Sequence, residues 1–112
     1  MTDPTPGDLA TLARAMGYTV TLDDSGGYGV VRVIYTDARR NFRGVFDPNN
    51  DSEQALDVMA WLMRHRDFYG MDASCLTVAD GIDNDYAWIK HDGTAAGIRR
   101  AVVEAAIRVA KG

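Results

Sequence analysis

One cysteine and two histidines are the side chains of this sequence best suited to nucleophilic chemistry. Cys75 could act as a nucleophile with His65 or His91 as its base, which requires hydrogen-bond contact and usually a third, orienting group. Cys75 lies in an apolar run, where cysteine most often packs as a small hydrophobic residue. His65 stands between two arginines near the end of a predicted helix, where cations interact favourably with the helix dipole. His91, next to Asp92, is interpreted as a polar residue at a strand end, so we predict no enzymatic activity.

Two acidic segments that contain glycine have the composition of ion-binding loops. Asp80, Asp83 and Asp85 surround a glycine, but an EF-hand loop has its glycine at position six and a glutamate at position twelve. Here the glycine comes second and no glutamate follows. Residues 23–27 could direct backbone N–H groups at a phosphate, but they carry two carboxylates and join two strands, whereas such sites usually open a helix. We predict turns at both places, and neither a metal nor a cofactor.

Arginines Arg39, Arg40 and Arg43 form the strongest candidate for a nucleic-acid contact. A basic strand that also carries aromatic residues, here Tyr35 and Phe42, can follow a phosphate backbone and stack bases. The order of the first five predicted elements matches a double-stranded-RNA-binding domain in outline. The second helix, however, opens with acidic residues where that module needs a basic clamp. The alternative interpretation is a solvated sheet edge.

Interface residues are the other candidates. Trp61 and Trp88 are interpreted first as packing groups, but either could anchor a protein interface, because aromatic side chains lead at binding hot spots. Asp23 and Asp24 belong to an acidic surface that could complement a basic groove on a partner. We therefore expect a protein partner first and nucleic acid second, and the oligomeric state stays open.

The composition limits the class of protein. The 112 residues carry 12 basic and 16 acidic side chains, a net charge of −4, which does not favour bulk attraction to nucleic acid or anionic lipid. No apolar run approaches the roughly 20 residues needed to cross a membrane, and the first eight residues contain no apolar signal core. A single cysteine cannot form an internal disulfide, which suits a reducing cytosol. We predict a cytoplasmic protein with no membrane contact.

Hydrophobic periodicity and turn residues predict the elements that position these side chains. The expected class is α+β, a single domain over residues 1–112 with a mostly antiparallel sheet of about five strands flanked by three helices. The predicted order is α-β-β-β-α-β-β-α. The first half is a helix capped by Thr5 and ended by Gly17, followed by strands over 18–22, 29–35 and 39–46. The second half is a helix capped by Asp51 and terminated by Gly70, with Leu56 and Met63 widening its core stripe, then strands over 75–79 and 86–90 and a last helix capped by Asp92 or Thr94.

The order of segments resembles the phage ABA sandwich domain family. The likeness is sharpest over residues 86–106, which begin Tyr-Ala-Trp-Ile-Lys-His-Asp-Gly-Thr-Ala-Ala-Gly-Ile-Arg-Arg-Ala. It implies a phage or prophage protein working in a bacterial cytoplasm, and the family has no general activity from which a catalytic residue could be carried over. We expect a small non-enzymatic protein that binds and modulates a host or phage protein, with inhibition of a host defence complex as one specific form.

Overall fold

The computed structural model describes residues 4–25, 29–80 and 85–112. Contacts divide the chain into two compact units, Met1–Asp47 and Pro48–Gly112. In chain order the elements are α1 (Pro6–Ala15), β1 (Thr19–Asp23), β2 (Arg32–Asp37), β3 (Phe42–Val45), α2 (Ser52–Met63), β4 (Phe68–Met71), β5 (Cys75–Asp80), β6 (Asp85–Lys90) and α3 (Ala95–Lys111).

The first unit begins with the predicted capped helix. Asp8 N–H donates to the Thr5 hydroxyl at 3.1 Å, and Thr5 N–H donates to the Asp8 carboxylate at 3.3 Å. These bonds satisfy two backbone donors that the helix itself leaves unpaired. Gly17 follows the helix at φ +95°, a conformation that glycine adopts without steric cost. The predicted start and end of α1 are confirmed.

Strands β1, β2 and β3 form an antiparallel sheet, sheet A, with β2 in the middle. This placement agrees with the interior position predicted for the β-branched run. Helix α1 packs against β1 and β2. The Tyr35 ring of β2 is buried and lies 4.9 Å from the ring of Tyr18, 5.7 Å from that of Phe42 and 5.5 Å from that of Phe46. Tyr35, Phe46 and Leu12 belong to the core of the first unit, whereas Phe42 is about half exposed.

Helix α2 opens the second unit and is shorter than predicted. Its start is confirmed, since the Asp51 carboxylate accepts from Gln54 N–H at 3.0 Å. The predicted end at Gly70 is wrong, because α2 ends at Met63 and Phe68–Met71 form the additional strand β4. The aromatic side chains there favour a strand, and pairing with β5 supplies the hydrogen bonds that a longer helix would have made.

Strands β4, β5 and β6 form a second antiparallel sheet, sheet B, with β5 in the middle. The prediction of one sheet of about five strands is therefore wrong, although the α+β class, the antiparallel pairing and the three helices are confirmed. Helix α3 packs against β5, β6 and α2. Its side of contact is rich in alanine and valine, including Ala101 and Ala105, which are fully buried.

We predict that Thr94→Ala destabilises the second unit by about 1 kcal/mol, the usual cost of losing a helix cap. The Thr94 hydroxyl accepts from Gly97 N–H at 3.0 Å and donates to the Asp92 carboxylate at 2.6 Å, so Thr94 is the cap of α3. Urea unfolding followed by circular dichroism measures the change. Thr94→Ser keeps the hydroxyl and should cost much less. Equal losses for the two variants would contradict a capping role.

Candidate functional site

The face of sheet B opposite its buried side carries three exposed aromatic side chains. Tyr69 is 57%, Tyr86 49% and Trp88 62% exposed, although all three are large and apolar. Successive side chains of a strand point to opposite sides, so the neighbours Ala87 and Ile89 are buried. We call this outer side, formed by Tyr69, Tyr86 and Trp88 with the small residues Cys75, Thr77 and Ala79 of β5, the aromatic face.

The three rings form one continuous cluster. The centroids of Tyr69 and Tyr86 lie 4.9 Å apart with the ring planes at 74°, an edge-to-face contact. The centroids of Tyr86 and Trp88 lie 6.0 Å apart at 50°. Such pairs stabilise each other by about 0.5–1.5 kcal/mol beyond the area they bury. The cluster is therefore held in place by contacts among its own members.

A β-bulge in β4 shapes the space beside Trp88. The pairing of β4 with β5 shifts between Phe68 and Gly70, so Gly70, and not Tyr69, lies opposite Thr77. Thr77 in turn lies opposite Trp88 on β6. A Cβ atom added at Gly70 would meet no atom within 4 Å apart from those of its chain neighbours. Across the three strands, Trp88 is therefore followed by the small Thr77 and then by a residue without a side chain, and we call this low part of the face, Gly70 and Thr77, the notch.

Charge is sparse on the described side chains of the aromatic face. Lys90 occupies the next outward position of β6 after Trp88, lies opposite Cys75 and is exposed. On the outer side of β6, Trp88 therefore lies between Lys90 and Tyr86 along the strand. The middle of the face is uncharged and presents ring faces, a threonine hydroxyl and a thiol.

Of the two predicted interface tryptophans, only Trp88 belongs to this face. Trp61 lies on α2, is half-buried, and has its ring centroid 5.4 Å from that of His65. The sequence reasoning did not select Tyr69 or Tyr86 as site residues. In β6, Tyr86, Trp88 and Lys90 alternate with two apolar residues, and this alternation could have indicated that Tyr86 lies on the same side of the sheet as Trp88. No comparable signal marked Tyr69, because β4 was interpreted as helix.

The predicted arginine strand is placed differently from the prediction. Arg39 and Arg40 lie in the turn between β2 and β3, and only Arg43 lies on β3. Asp37 organises this turn, since its carboxylate accepts from Arg39 N–H at 3.1 Å and lies 3.5 Å from Arg40 Nε. Asn41 then takes a positive φ of 52°. A side chain that bonds its own backbone competes with a strand, which explains the shorter β3, and all three arginines are exposed.

The interface candidates Asp23 and Asp24 differ in their surroundings. Asp23 accepts from Ser25 N–H at 2.9 Å and forms an ion pair with Arg32 at 3.3 Å. Hydrogen bonds from Ser25, and then the charge of Arg32, lower the pKa of Asp23. Its carboxylate therefore serves its own turn, whereas Asp24 is exposed. The segment 23–27, which was predicted to be a turn, lies only in part within the described residues, which stop at Ser25 and resume at position 29.

Cys75 and the two histidines make separate contacts in the described part of the chain. The Cys75 thiol contacts the Leu76 carbonyl oxygen at 3.9 Å. His65 Nδ1 accepts from Asp67 N–H at 3.2 Å. His91 Nδ1 accepts from Gly93 N–H at 3.1 Å. Among the described residues no hydrogen bond joins the thiol to either imidazole.

The His91 ring and two aspartates tie together the turns at one end of sheet B. Because His91 Nδ1 accepts a hydrogen bond, the neutral ring carries its proton on Nε2, which donates to the Asp72 carbonyl oxygen at 3.0 Å. The Asp72 carboxylate accepts from Ser74 N–H and Cys75 N–H at 2.8 Å each. These hydrogen bonds lower the pKa of Asp72, and hydrogen bonds from Thr94 lower that of Asp92.

The described residues, 4–25, 29–80 and 85–112, contain no group of three or more histidine, cysteine or acidic side chains that could hold a metal ion. The central part of the acidic segment 80–85, which was predicted to be a turn, is residues 81–84 and lies outside the described residues. The interpretation of Asp83 as a turn residue therefore stays a prediction.

Other apolar side chains are exposed elsewhere in the described part of the chain. Leu56 and Met63 of α2, predicted to widen its core stripe, are instead 69% and 59% exposed, which corrects that prediction. They stand seven residues apart, so they lie on the same outer side of the helix. In the first unit, a shallow groove of about 240 Å³ is lined mainly by Pro6, Leu9 and valines of β2 and β3. Neither surface exposes a comparable group of clustered rings.

Comparisons with known proteins add no family or relative to these findings. No protein-family model matches the chain, and no match was found among curated proteins or solved structures. In the described ranges, no helix has both the length and the apolar character needed to span a bilayer.

We predict that acid destabilises the second unit in part through Asp72. Because folding lowers the pKa of this carboxyl, the unfolded chain binds the proton more tightly than the folded protein. The stabilisation is complete above the ordinary value of 3.8 and is lost as the pH falls through the lower folded value. Unfolding free energies measured by urea titration between pH 6 and about pH 2.5 should fall less steeply for Asp72→Asn than for the wild type.

Asp24→Asn is the matched control, because Asp24 is an exposed aspartate in a turn of the other unit. It should keep the wild-type slope of unfolding free energy against pH. A slope in Asp72→Asn as steep as that of the wild type would show that this carboxylate does not contribute.

Proposed function

We propose that this chain is a small non-enzymatic protein that binds a protein partner through the aromatic face. The observation that supports this is the cluster of Tyr69, Tyr86 and Trp88, each about half exposed and in ring contact with the next. Tryptophan and tyrosine dominate the binding energy of protein interfaces, because they bury a large apolar area and lose few rotamers.

The exposed area of the cluster is of the size expected for a functional patch. Each aromatic side chain can bury 150–250 Å², so three rings that are about half exposed present roughly 300–400 Å² of surface. The largest apolar patch on a typical monomer is about 300–600 Å² and is often functional. Removing this area from water on binding is the driving force that we assign to the face.

The resemblance to the phage ABA sandwich family gives this proposal its biological setting. In that setting the protein acts in a bacterial cytoplasm on a host or phage protein, and one form of the activity is inhibition of a host defence complex. The net charge of −4 fits a partner with a basic surface. Salt should therefore weaken the association through the electrostatic contribution, while the contribution of the rings remains.

We predict that Trp88→Ala lowers capture of a partner at least about tenfold, a loss of roughly 1.4 kcal/mol that is typical of a hot-spot residue. The measurement compares immobilised wild-type and variant proteins in bacterial lysate at low and moderate salt, with quantitative mass spectrometry of the bound proteins. Trp61→Phe is the matched control, because it alters the tryptophan that lies outside the aromatic face, and it should retain capture.

Circular dichroism shows whether each variant has kept its fold before the comparison is made. Two results would contradict the proposal. One is a set of bound proteins that Trp88→Ala leaves unchanged. The other is the absence of any protein whose binding to the wild type exceeds that to the variant and depends on salt.

The alternative function is nucleic-acid binding through Arg39, Arg40 and Arg43. The observation that favours it is that all three arginines are exposed close together in sequence at one hairpin, next to the exposed Phe42. Arg40 also contacts Asp37, which reduces the charge available to a phosphate. This alternative is independent of the aromatic face, because the two sets of residues lie in different units.

For this alternative we predict a shift of single-stranded or duplex probes in a gel at low salt that weakens at moderate salt. Replacing Arg39, Arg40 and Arg43 together by alanine should abolish the shift, because the variant loses the cations that contact phosphate. Arg14→Ala, an exposed arginine on α1, should leave it in place. No shift at low salt, or a shift that the triple variant retains, would end this alternative.

A further inference from the structure

We infer that the aromatic face takes an extended proline-rich segment of the partner, with basic residues flanking the prolines. This inference rests on the proposed function, because it specifies which part of a protein partner the face contacts. Four properties of the face support it: its area, its notch, the spacing of its rings and its charge.

The exposed area is too small for a folded partner or for a second copy of this chain. A standard interface buries about 800 Å² on each side, whereas the three rings present roughly 300–400 Å². The β5 residues between them are small and half-buried, so they add little. A face of this size matches a segment of a few residues in extended conformation, in which most of the contact comes from two or three side chains.

The notch beside Trp88 accommodates a compact ring. Gly70 contributes no side chain to its row, and a Cβ atom there would meet no atom within 4 Å apart from those of its chain neighbours. Thr77 lies between this position and Trp88 in the strand pairing. A proline ring is flat-sided and fixed at its own φ angle, so it can pack against the indole while losing little conformational freedom.

The ring spacing fits the repeat of a polyproline II helix. That helix rises about 3.1 Å per residue with three residues per turn, so residues two apart are separated by about 6.2 Å along its axis. The Tyr86 and Trp88 centroids are 6.0 Å apart. Two of the three ridges of such a helix can meet the same surface, which places one residue on each ring.

The chemistry of the segment also fits. A polyproline II helix makes no internal hydrogen bonds, so its carbonyl groups accept from outside donors. Tyr69 and Trp88 bring an O–H and an N–H donor to the face. Aromatic-lined surfaces that recognise proline-rich segments combine these contacts, and the preformed conformation of the segment lowers the entropy lost on binding.

Charge selects among proline-rich segments. The chain carries a net charge of −4, and Lys90 is the charged group described on the aromatic face. The net negative charge attracts a cationic segment at long range, whereas Lys90 repels a cation placed beside it and the middle of the face requires uncharged residues. Arginines that flank the prolines satisfy both conditions, because they add attraction without entering the notch.

The test uses fluorescence of the full chain with Trp61→Phe, so that Trp88 is the sole tryptophan. The probe is a capped synthetic peptide of six prolines with two arginines at each end. We expect a saturable change in Trp88 emission, and an affinity at least about tenfold lower when Tyr86→Ala is added. Leu56→Ala, an exposed apolar residue of α2, is the matched control and should leave the affinity unchanged.

Two further peptides separate shape from charge. Replacing the prolines by alternating glycine and serine should abolish the response, and replacing the arginines by glutamates should lower the affinity and reverse its salt dependence. A response that does not saturate, or that the glycine–serine peptide reproduces, would overturn the inference. If lysate capture still depends on Trp88 in that case, the proposed function stands and only the proline-rich segment is wrong.

Other occupants of the aromatic face would also be detected. Sedimentation of the wild type at increasing concentration would reveal a dimer, and a dimer that Trp88→Ala abolishes would overturn the inference in favour of a second copy. A short oligothymidylate titrated against the same single-tryptophan protein would reveal base stacking. Tighter binding of that probe than of the proline peptide would likewise overturn it.

Discussion

The close packing of α3 on sheet B is the constraint from which the rest of the second unit follows. Ala101 and Ala105 are fully buried, and their small side chains let the helix backbone lie near the strands. Covering one side of β5 and β6 buries Leu76 and Val78 completely. Because side chains alternate along a strand, the outward residues are then left for contact with something other than the core.

Local signals made part of this fold predictable. The caps at Thr5 and Asp51 depend on side chains within three residues of the bonds they make, so their sequence patterns were sufficient. For α3 the sequence left Asp92 and Thr94 open, and the structure shows that Thr94 is the cap. Strand β4 was not predictable in the same way. Its four residues follow the polar segment 64–67 and include Gly70, which was interpreted as a helix end, and they form a strand because β5 pairs with them. A segment of four residues is too short for its own periodicity to indicate a strand.

The candidate site was predictable only in part, for a related reason. Periodicity showed that Trp88 and Ile89 lie on opposite sides of β6, but the sequence does not state which side a helix covers. Tyr69 reaches the same side through a shift in strand pairing, which no local rule marked. The arginine turn shows the reverse case. There a local bond from Asp37 was strong enough to overrule an alternation that resembled a strand.

The bulge in β4 bears on how this sequence can change over generations. Surface loops accept insertions and deletions readily, but deletion of Gly70 would place Tyr69 opposite Thr77, in the row now held by glycine. Every ring would still be encoded, yet the opening beside Trp88 would be filled. The length of this short strand is therefore under the same constraint as its composition, and a descendant that kept only the aromatic residues would not have kept the surface.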